Sequence, residues 1–284
     1  TYIGGSSSDA QNIGTLSPNY GDANRGEIFY DTNRDIVVAT STQSNNFPVT
    51  VGAYQTTFGG GSQDGIFFKL TFNCSALIFS TFLGGSNLDA CFSVVKNSVG
   101  NWVLAGGTNS TNFPTSAGSY ITSNQGGTDG FITILNSTAT SLVKSTYLGT
   151  SAFDHAFKVQ VDNNDTVYVC GQTEGPTFPV SAGVYTNAGG NIFIQKIQPD
   201  LSAMVLSTII GNTSSNLIPT AFLKDYCGNV YFTGFGANAG LPLTTDAFQS
   251  TSGGFWICVL TGDFSSLVYA TYMGVPGDHV DGGT

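Results

Sequence analysis

The sequence predicts an all-β fold assembled from repeated four-stranded antiparallel sheets. Three observations lead there. Only 9% of the 284 residues are charged while 12% are aromatic, against about 25% charged in an average protein. Glycine, the residue that closes tight turns, occurs 37 times. One set of short motifs recurs four times in the same order. A helical bundle needs Ala, Glu, Lys and Leu in quantity, and Glu27 and Glu174 are the only two glutamates. Disorder is excluded by the aromatic content. A net charge of -10 without a Lys/Arg cluster excludes a basic nucleic-acid binder. No apolar run reaches the roughly 18 residues of a membrane helix, so no membrane insertion is expected.

The repeat is read from four markers. Ser80-Thr81-Phe82-Leu83-Gly84 returns as Ser145–Gly149, Ser207–Gly211 and Ala270–Gly274, with Thr1–Gly4 a further copy. Phe47-Pro48, Phe113-Pro114, Phe178-Pro179 and Leu241-Pro242 follow. Gly52-Ala53-Tyr54, Gly118-Ser119-Tyr120 and Gly183-Val184-Tyr185 come next, with Asp246-Ala247-Phe248 a degenerate copy. Asp64-Gly65, Asp129-Gly130, Asn191-Ile192 and Gly254-Phe255 complete the set.

Each unit reads as four short strands. In the second they are about Leu77–Leu83, Cys91–Lys96, Trp102–Gly106 and Phe131–Leu135, rich in β-branched and aromatic residues and bounded by turn formers. Ser98–Asn101, Asp162–Asp165 and Asp225–Asn229 carry the Asn, Asp and Gly that tight hairpins favour. No segment holds a capped 3.6-residue period, so almost no helix is expected.

Four strands at this period describe the blades of a β-propeller. A seven-stranded sandwich would need about 100 residues per unit. The blades are expected at residues 1–75, 76–140, 141–202 and 203–266, with 267–284 opening a further one. Because a complete strand already stands at Thr1, these four blades and one strand are expected to belong to a larger ring, within a processed or ordered piece of a larger protein.

Taken together, Ser145–Gly149 with Val167–Thr173, and Asn46–Phe58 with Asp64–Leu70, resemble the bacterial beta-propeller repeat (SBBP) family. The resemblance covers nearly the whole chain. The last unit departs from it at Leu241 and at Asn216, which stands where other units have Asp. Asp225–Asn229 and Asp278–Thr284 look like large secreted Bacteroidetes proteins associated with gliding motility. The resemblance implies a secreted or cell-surface multidomain protein exported by type IX secretion. Its implied partners are that secretion machinery, other domains of the same parent protein, and a surface glycan or protein ligand in adhesion. It supplies no catalytic residues. Asp165-Thr166-Val167 fits a short O-glycosylation pattern of such bacteria, although a hairpin turn is the simpler reading.

Several residues carry chemistry worth weighing. Asp22, Asp89, Asp154, Asn216 and Asp278 end the loop after the first strand of each unit. A carboxylate there can accept backbone N–H groups and lock the loop. Asp22, Asp89, Asp154 and Asp278 are also weak candidates for a structural Ca²⁺, which takes hard oxygen ligands; no other cofactor is expected. Asp162–Asp165 fails the EF-hand pattern. Gly234–Ala239 spells GxGxxA, but the repeat places a loop where a dinucleotide site needs a helix. His155 and His279 follow loop acids, and neither a GxSxG elbow nor HExxH accompanies them.

The cysteines are odd in number and form no CxxC, so a metal knuckle is not expected. Cys91, Cys170 and Cys258 read as small buried hydrophobes. Cys74 and Cys227 lie in turns, and their pairing is left open.

The first unit holds an insert between Gly5 and Gly21, including Pro18 and Tyr20. Insertions map to loops of one face, often the binding face. In an up-and-down blade that face also carries the long Phe-Pro/Gly-x-Tyr loops. Pro18, Tyr20, Tyr54, Tyr120 and Tyr185 are therefore the candidate binding residues, with packing between blades as the alternative for the recurring tyrosines. Deleting Gly5–Gly21 is expected to remove binding without unfolding. The chain is expected to be a non-catalytic scaffold or recognition module. The alternatives are a glycan-processing hydrolase or lyase, which needs a channel-facing carboxylate pair with one raised pKa, and a purely structural spacer.

Overall fold

The computed structural model describes residues 1–17, 23–212, 217–236 and 240–275. Among the described residues are sixteen strands in four antiparallel sheets, each in simple sequence order, and one 3-10 turn at Gly14–Leu16. The first sheet is β1 (Glu27–Tyr30), β2 (Ile36–Thr42), β3 (Asp64–Leu70) and β4 (Leu77–Leu83). The second is β5 (Asp89–Lys96), β6 (Trp102–Thr108), β7 (Asp129–Leu135) and β8 (Leu142–Leu148). The third is β9 (Asp154–Val161), β10 (Val167–Thr173), β11 (Ile192–Ile197) and β12 (Met204–Ile210). The fourth is β13 (Ile218–Lys224), β14 (Val230–Phe235), β15 (Phe255–Leu260) and β16 (Leu267–Met273).

These are β-propeller blades. The first strands pack in series, β1 on β5, β5 on β9 and β9 on β13, while the fourth strands show solvent Ile78, Val143, Val205 and Val268. The cores are the seams between sheets. Phe67 and Phe79 meet Trp102 and Phe131 in the first seam. Ile132 and Ile134 meet Val169 and Phe193 in the second. Ile192 and Ile194 meet Phe232 and Trp256 in the third.

The sheets are phased differently from the repeat frame read in the sequence. The Ser-Thr-Phe-Leu-Gly strand closes a sheet: β4 pairs with β3, the strand before it, through Gly65–Leu83 to Leu70–Leu77. The sheets therefore run 27–83, 89–148, 154–210 and 218–273. The loop expected between the first and second strands of a unit, Gly84–Leu88, instead steps from one sheet to the next.

The same markers explain one another. Thr81 and Thr146 each receive the N–H of the residue after a loop tyrosine, from Gln55 and Ile121, at 2.8 Å. Thr271 receives that of Gln249 at 2.9 Å. The Phe-Pro ring lies flat on the strand below, as in Phe113 on Phe131 at 4.3 Å and Phe178 on Phe193 at 4.6 Å between ring centres.

The first strands are bulged. In β5 the register slips between Cys91 and Ser93, leaving Phe92 extra; in β9 Phe157 is extra, and in β13 Thr220. A bulge leaves one residue outside the ladder and re-aims it. In the first sheet the equivalent place holds the insert: Asp9 bridges Thr42, and the strand resumes with Glu27 opposite Ala39.

Candidate functional site

The insert turns into the centre of the propeller. Leu16, fully buried, packs with the bulge residues Phe92 and Phe157 and with Ala90 and Ile218. Asn12 is buried and takes a hydrogen bond from Gln63 at 3.2 Å, while Gln63 Oε1 receives the Ile13 N–H at 2.9 Å. Arg25 lies 3.7 Å over the Phe157 ring and donates to the Pro219 carbonyl at 3.2 Å. These buried contacts run against the expectation that Gly5–Gly21 can be deleted without unfolding. The insert supplies hydrophobic packing that joins the second, third and fourth sheets. Pro18 and Tyr20 lie outside the described residues.

The loop acids form inter-sheet pairs. Asp89 Oδ2 receives the Gly85 N–H at 2.7 Å and the Ser110 hydroxyl at 2.8 Å, and Oδ1 receives the Thr108 hydroxyl at 2.5 Å. Facing it from the first sheet is Asp64, whose Oδ2 receives the Gly59 N–H at 2.5 Å. Asp154 holds Thr150 likewise at 2.6 Å and faces Asp129, which holds Gln125 at 2.6 Å. All four residues are fully buried. Burial, then the facing charge, pushes Asp64 up to about 8 and Asp129 up to about 7. Burial also raises Asp89 to about 6, against its hydrogen bonds, and raises Asp154. In the third seam Asn191 stands in the place of Asp64, and its amide donates to the Leu217 carbonyl at 2.9 Å.

The loop acid of the first unit is Asp9, not Asp22. Asp9 receives the Gly5 N–H at 2.9 Å and the Thr42 hydroxyl, the bonds Asp89 makes with Gly85 and Thr108. The insert enters after this acid, so counting back from Phe-Pro falls short of it and lands on Asp22. The five-residue step Gly4 to Asp9, the same as Gly84 to Asp89, would have found it. Asp22, Asn216, Asp278 and His279 lie outside the described residues.

As Ca²⁺ ligands, Asp89 faces Asp64, Asp154 faces Asp129 with the Glu174 charge also acting on it, and Asp89 already accepts protein hydrogen bonds at both oxygens. Among the described residues no three His, Cys, Asp or Glu side chains gather to hold a metal. His155 sits at the centre with its ring 4.2 Å from Phe153 and 5.4 Å from both Phe92 and Phe157. Burial, and next the Arg25 guanidinium, holds it well below the usual imidazole range, so it is neutral.

Tyr54, Tyr120 and Tyr185 are half-buried between sheets. Their N–H groups donate to the Ala139, Leu201 and Phe264 carbonyls of the next sheet at 2.8, 2.7 and 2.7 Å, and their rings pack on the seam cores. Asp165 forms a hairpin turn at φ 62° and receives both the Ser98 N–H and hydroxyl at 2.7 Å. Gly234 lies in β14, which runs to Phe235, and residues 237–239 lie outside the described residues. All five cysteines are free. Among the described residues no helix is long and apolar enough to cross a membrane.

No family model matches the chain. No curated protein matches it. Among solved structures it is similar to the crystal structure of BamB from Moraxella catarrhalis, over 86% of this chain, with 13% identity and a TM-score of 0.36. The chain spans 60% of the length of that protein. A likeness this distant assigns no function.

Proposed function

We propose that the chain is a non-catalytic recognition or scaffold module of the SBBP type, displayed by a large exported bacterial surface protein. The observation that carries this reading is where the repeated chemistry goes. Among the described residues Thr81, Thr146, Thr271, Tyr54, Tyr120, Tyr185, Phe113, Phe178, Asp9, Asp89 and Asp154 are all engaged within a sheet or between sheets. The two Asp pairs have the raised pKa that a general acid needs, but they are closed to solvent and beyond a substrate's reach. That favours display over glycan hydrolysis.

The low charge suits contacts through hydrogen bonds and aromatic rings with a surface glycan or protein, without electrostatic steering. The composition and the resemblance support secretion through the type IX route and a role in adhesion or gliding. The test is a glycan array and a surface-protein binding screen with residues 1–284, run beside a polysaccharide turnover assay. Reproducible binding without turnover is expected. Turnover overturns the reading, and failure to bind any surface component reduces it to a spacer.

A further inference from the structure

The rim of the first seam differs from that of the second where the insert reaches it. Asn109 donates its N–H to the Leu88 carbonyl at 2.8 Å, as Glu174 does to the Phe153 carbonyl at 2.9 Å. Asn109 therefore corresponds to Glu174, Leu88 to Phe153 and Asn87 to Ala152. The second rim holds neither amide, so the shared plan of the sheets does not demand them. The insert meets the first rim through Thr15, whose hydroxyl donates to Asn109 Oδ1 at 2.7 Å.

Between these parts lies an open cleft of about 530 Å³, lined by Thr15, Ser62, Asn87, Leu88 and Asn109 with two glycines. Small-molecule sites span roughly 300–1,000 Å³. Its walls are held in place. Leu16, next to Thr15, is fully buried at the centre, and Leu88 packs on the same cluster. A Cβ on Gly61 would lie 2.7 Å from the Asn87 carbonyl, so the first sheet's loop rests directly on that backbone. The Asn109 amide nitrogen donates to the Gly127 carbonyl at 2.9 Å and the Thr128 hydroxyl at 3.1 Å. Asn87 Nδ2 donates to the Asn109 carbonyl at 3.3 Å. Asn87 and Ser62 are both exposed, and among the described residues nothing bonds Asn87 Oδ1 or the Ser62 hydroxyl.

We propose that this cleft binds one neutral sugar residue of a surface glycan, with Asn87 and Ser62 taking its hydroxyls. The ligand class follows from the lining. None of the lining residues is charged, so a charged ligand would find no opposite charge there. Amides and hydroxyls offer donors and acceptors together, as sugar hydroxyls do, and Leu88 offers an apolar patch to the C–H face of the ring. The proposal rests on the recognition reading above and gives it a site. Pre-formed walls lower the ordering cost of binding. With one aliphatic side chain and no aromatic ring in its lining, the cleft should hold a single sugar at a Kd on the order of 1 mM.

The experiment is nuclear magnetic resonance of the side-chain amides of isotope-labelled residues 1–284. The probes are the methyl glycosides of glucose, mannose and galactose, N-acetylglucosamine, and N-acetylneuraminic acid as an anionic control. Each is added to about 50 mM, where even millimolar binding is visible. At least one neutral sugar should shift the Asn87 and Asn109 amide signals saturably. Asn87→Ala, which copies Ala152, and Ser62→Trp, which fills the cleft, should each weaken that binding at least tenfold, read at Asn109. Both should leave the thermal melt unchanged, because both side chains are exposed. The glycan array is run beside them. Array binding while no neutral sugar moves these amides, or sugar binding that survives both substitutions, overturns the cleft and leaves the recognition reading standing. Preference for the anionic control overturns the neutral class. Silence of both amides and array overturns the cleft and glycan recognition together.

Discussion

Asp64 and Asp89, from adjacent sheets, bring their carboxylates together over Gly84. A Cβ on Gly84 would lie 2.6 Å from Asp64 Oδ1 and 2.9 Å from Asp89 Oδ2. Burial raises both acids, to about 8 and about 6. An acid whose folded pKa exceeds its unfolded value stabilises the fold fully below the unfolded pKa, and that contribution is lost as pH rises through the folded one. The melting temperature is therefore expected to fall between pH 5 and pH 8, the reverse of the trend for salt-bridged carboxylates. Asp31, lowered by Lys69 and backbone donors against burial, acts only at more acidic pH. Asp64→Asn copies Asn191 of the third seam. It should flatten the fall and add on the order of 1–2 kcal/mol at pH 8. Melts of both proteins across this range check it, and a wild-type melting temperature that rises toward pH 8 contradicts it.

Glycine in the second strand is a separate requirement. Opposite each bulge, a Cβ on Gly106, Gly171 or Gly234 would lie 1.9 Å from the Ala90, His155 or Ile218 carbonyl oxygen. Gly171→Ala should cost about 3 kcal/mol or more, since backbone must move. Gly118, at φ 75°, has nothing within 4 Å of its Cβ position, so Gly118→Ala carries only the conformational cost, about 1 kcal/mol. Urea unfolding of the two variants separates steric from conformational demand. Equal losses would show that the bulge tolerates a side chain.

The fold class was legible because the repeat is spelled by residues that touch each other, such as Thr81 with the loop at Gln55 and Phe113 on Phe131. Where a sheet begins was not legible. Strands β3, β4 and β5 are joined by connections of similar length, Thr71–Ala76 and Gly84–Leu88, and hydrogen bonding between β3 and β4 is not marked by any residue type. Facing acids such as Asp64 and Asp89 were present in the sequence as separate markers. Their pairing depends on neighbouring sheets, which no local spacing encodes. The inward course of the insert was hidden for the same reason, since Leu16 meets Phe92 and Phe157 only at the centre.

Leu16 makes that inward course testable. It is fully buried among Phe92, Phe157 and Ile218. Leu16→Ala should cost about 2–4 kcal/mol by lost burial and the cavity left behind. Deleting the whole insert should cost more and unfold a large share of the chain at 37 °C. Thermal melts decide: a deletion variant that melts like the parent would restore the reading of a surface loop.

Glu27 joins three sheets. From the first it receives the Val94 N–H at 2.8 Å and the Ser93 hydroxyl in the second, and it pairs with Lys158 of the third at 3.1 Å. Burial lowers Lys158, with the Glu27 charge acting the other way. Removing one partner of such a buried pair leaves the other charge without compensation, at about 3–5 kcal/mol. Glu27→Gln should therefore lose stability of this order at pH 7. Without its partner Lys158 drops further, so folding of the variant is penalised below the unfolded lysine pKa. The deficit should shrink toward pH 10, where the unfolded lysine also loses its proton. Glu27→Gln/Lys158→Met removes both charges and should recover most of the loss. Denaturant unfolding of the single and double variants at pH 7 and pH 10 tests the bridge, and a double variant no more stable than Glu27→Gln would show that the uncompensated lysine is not the cause.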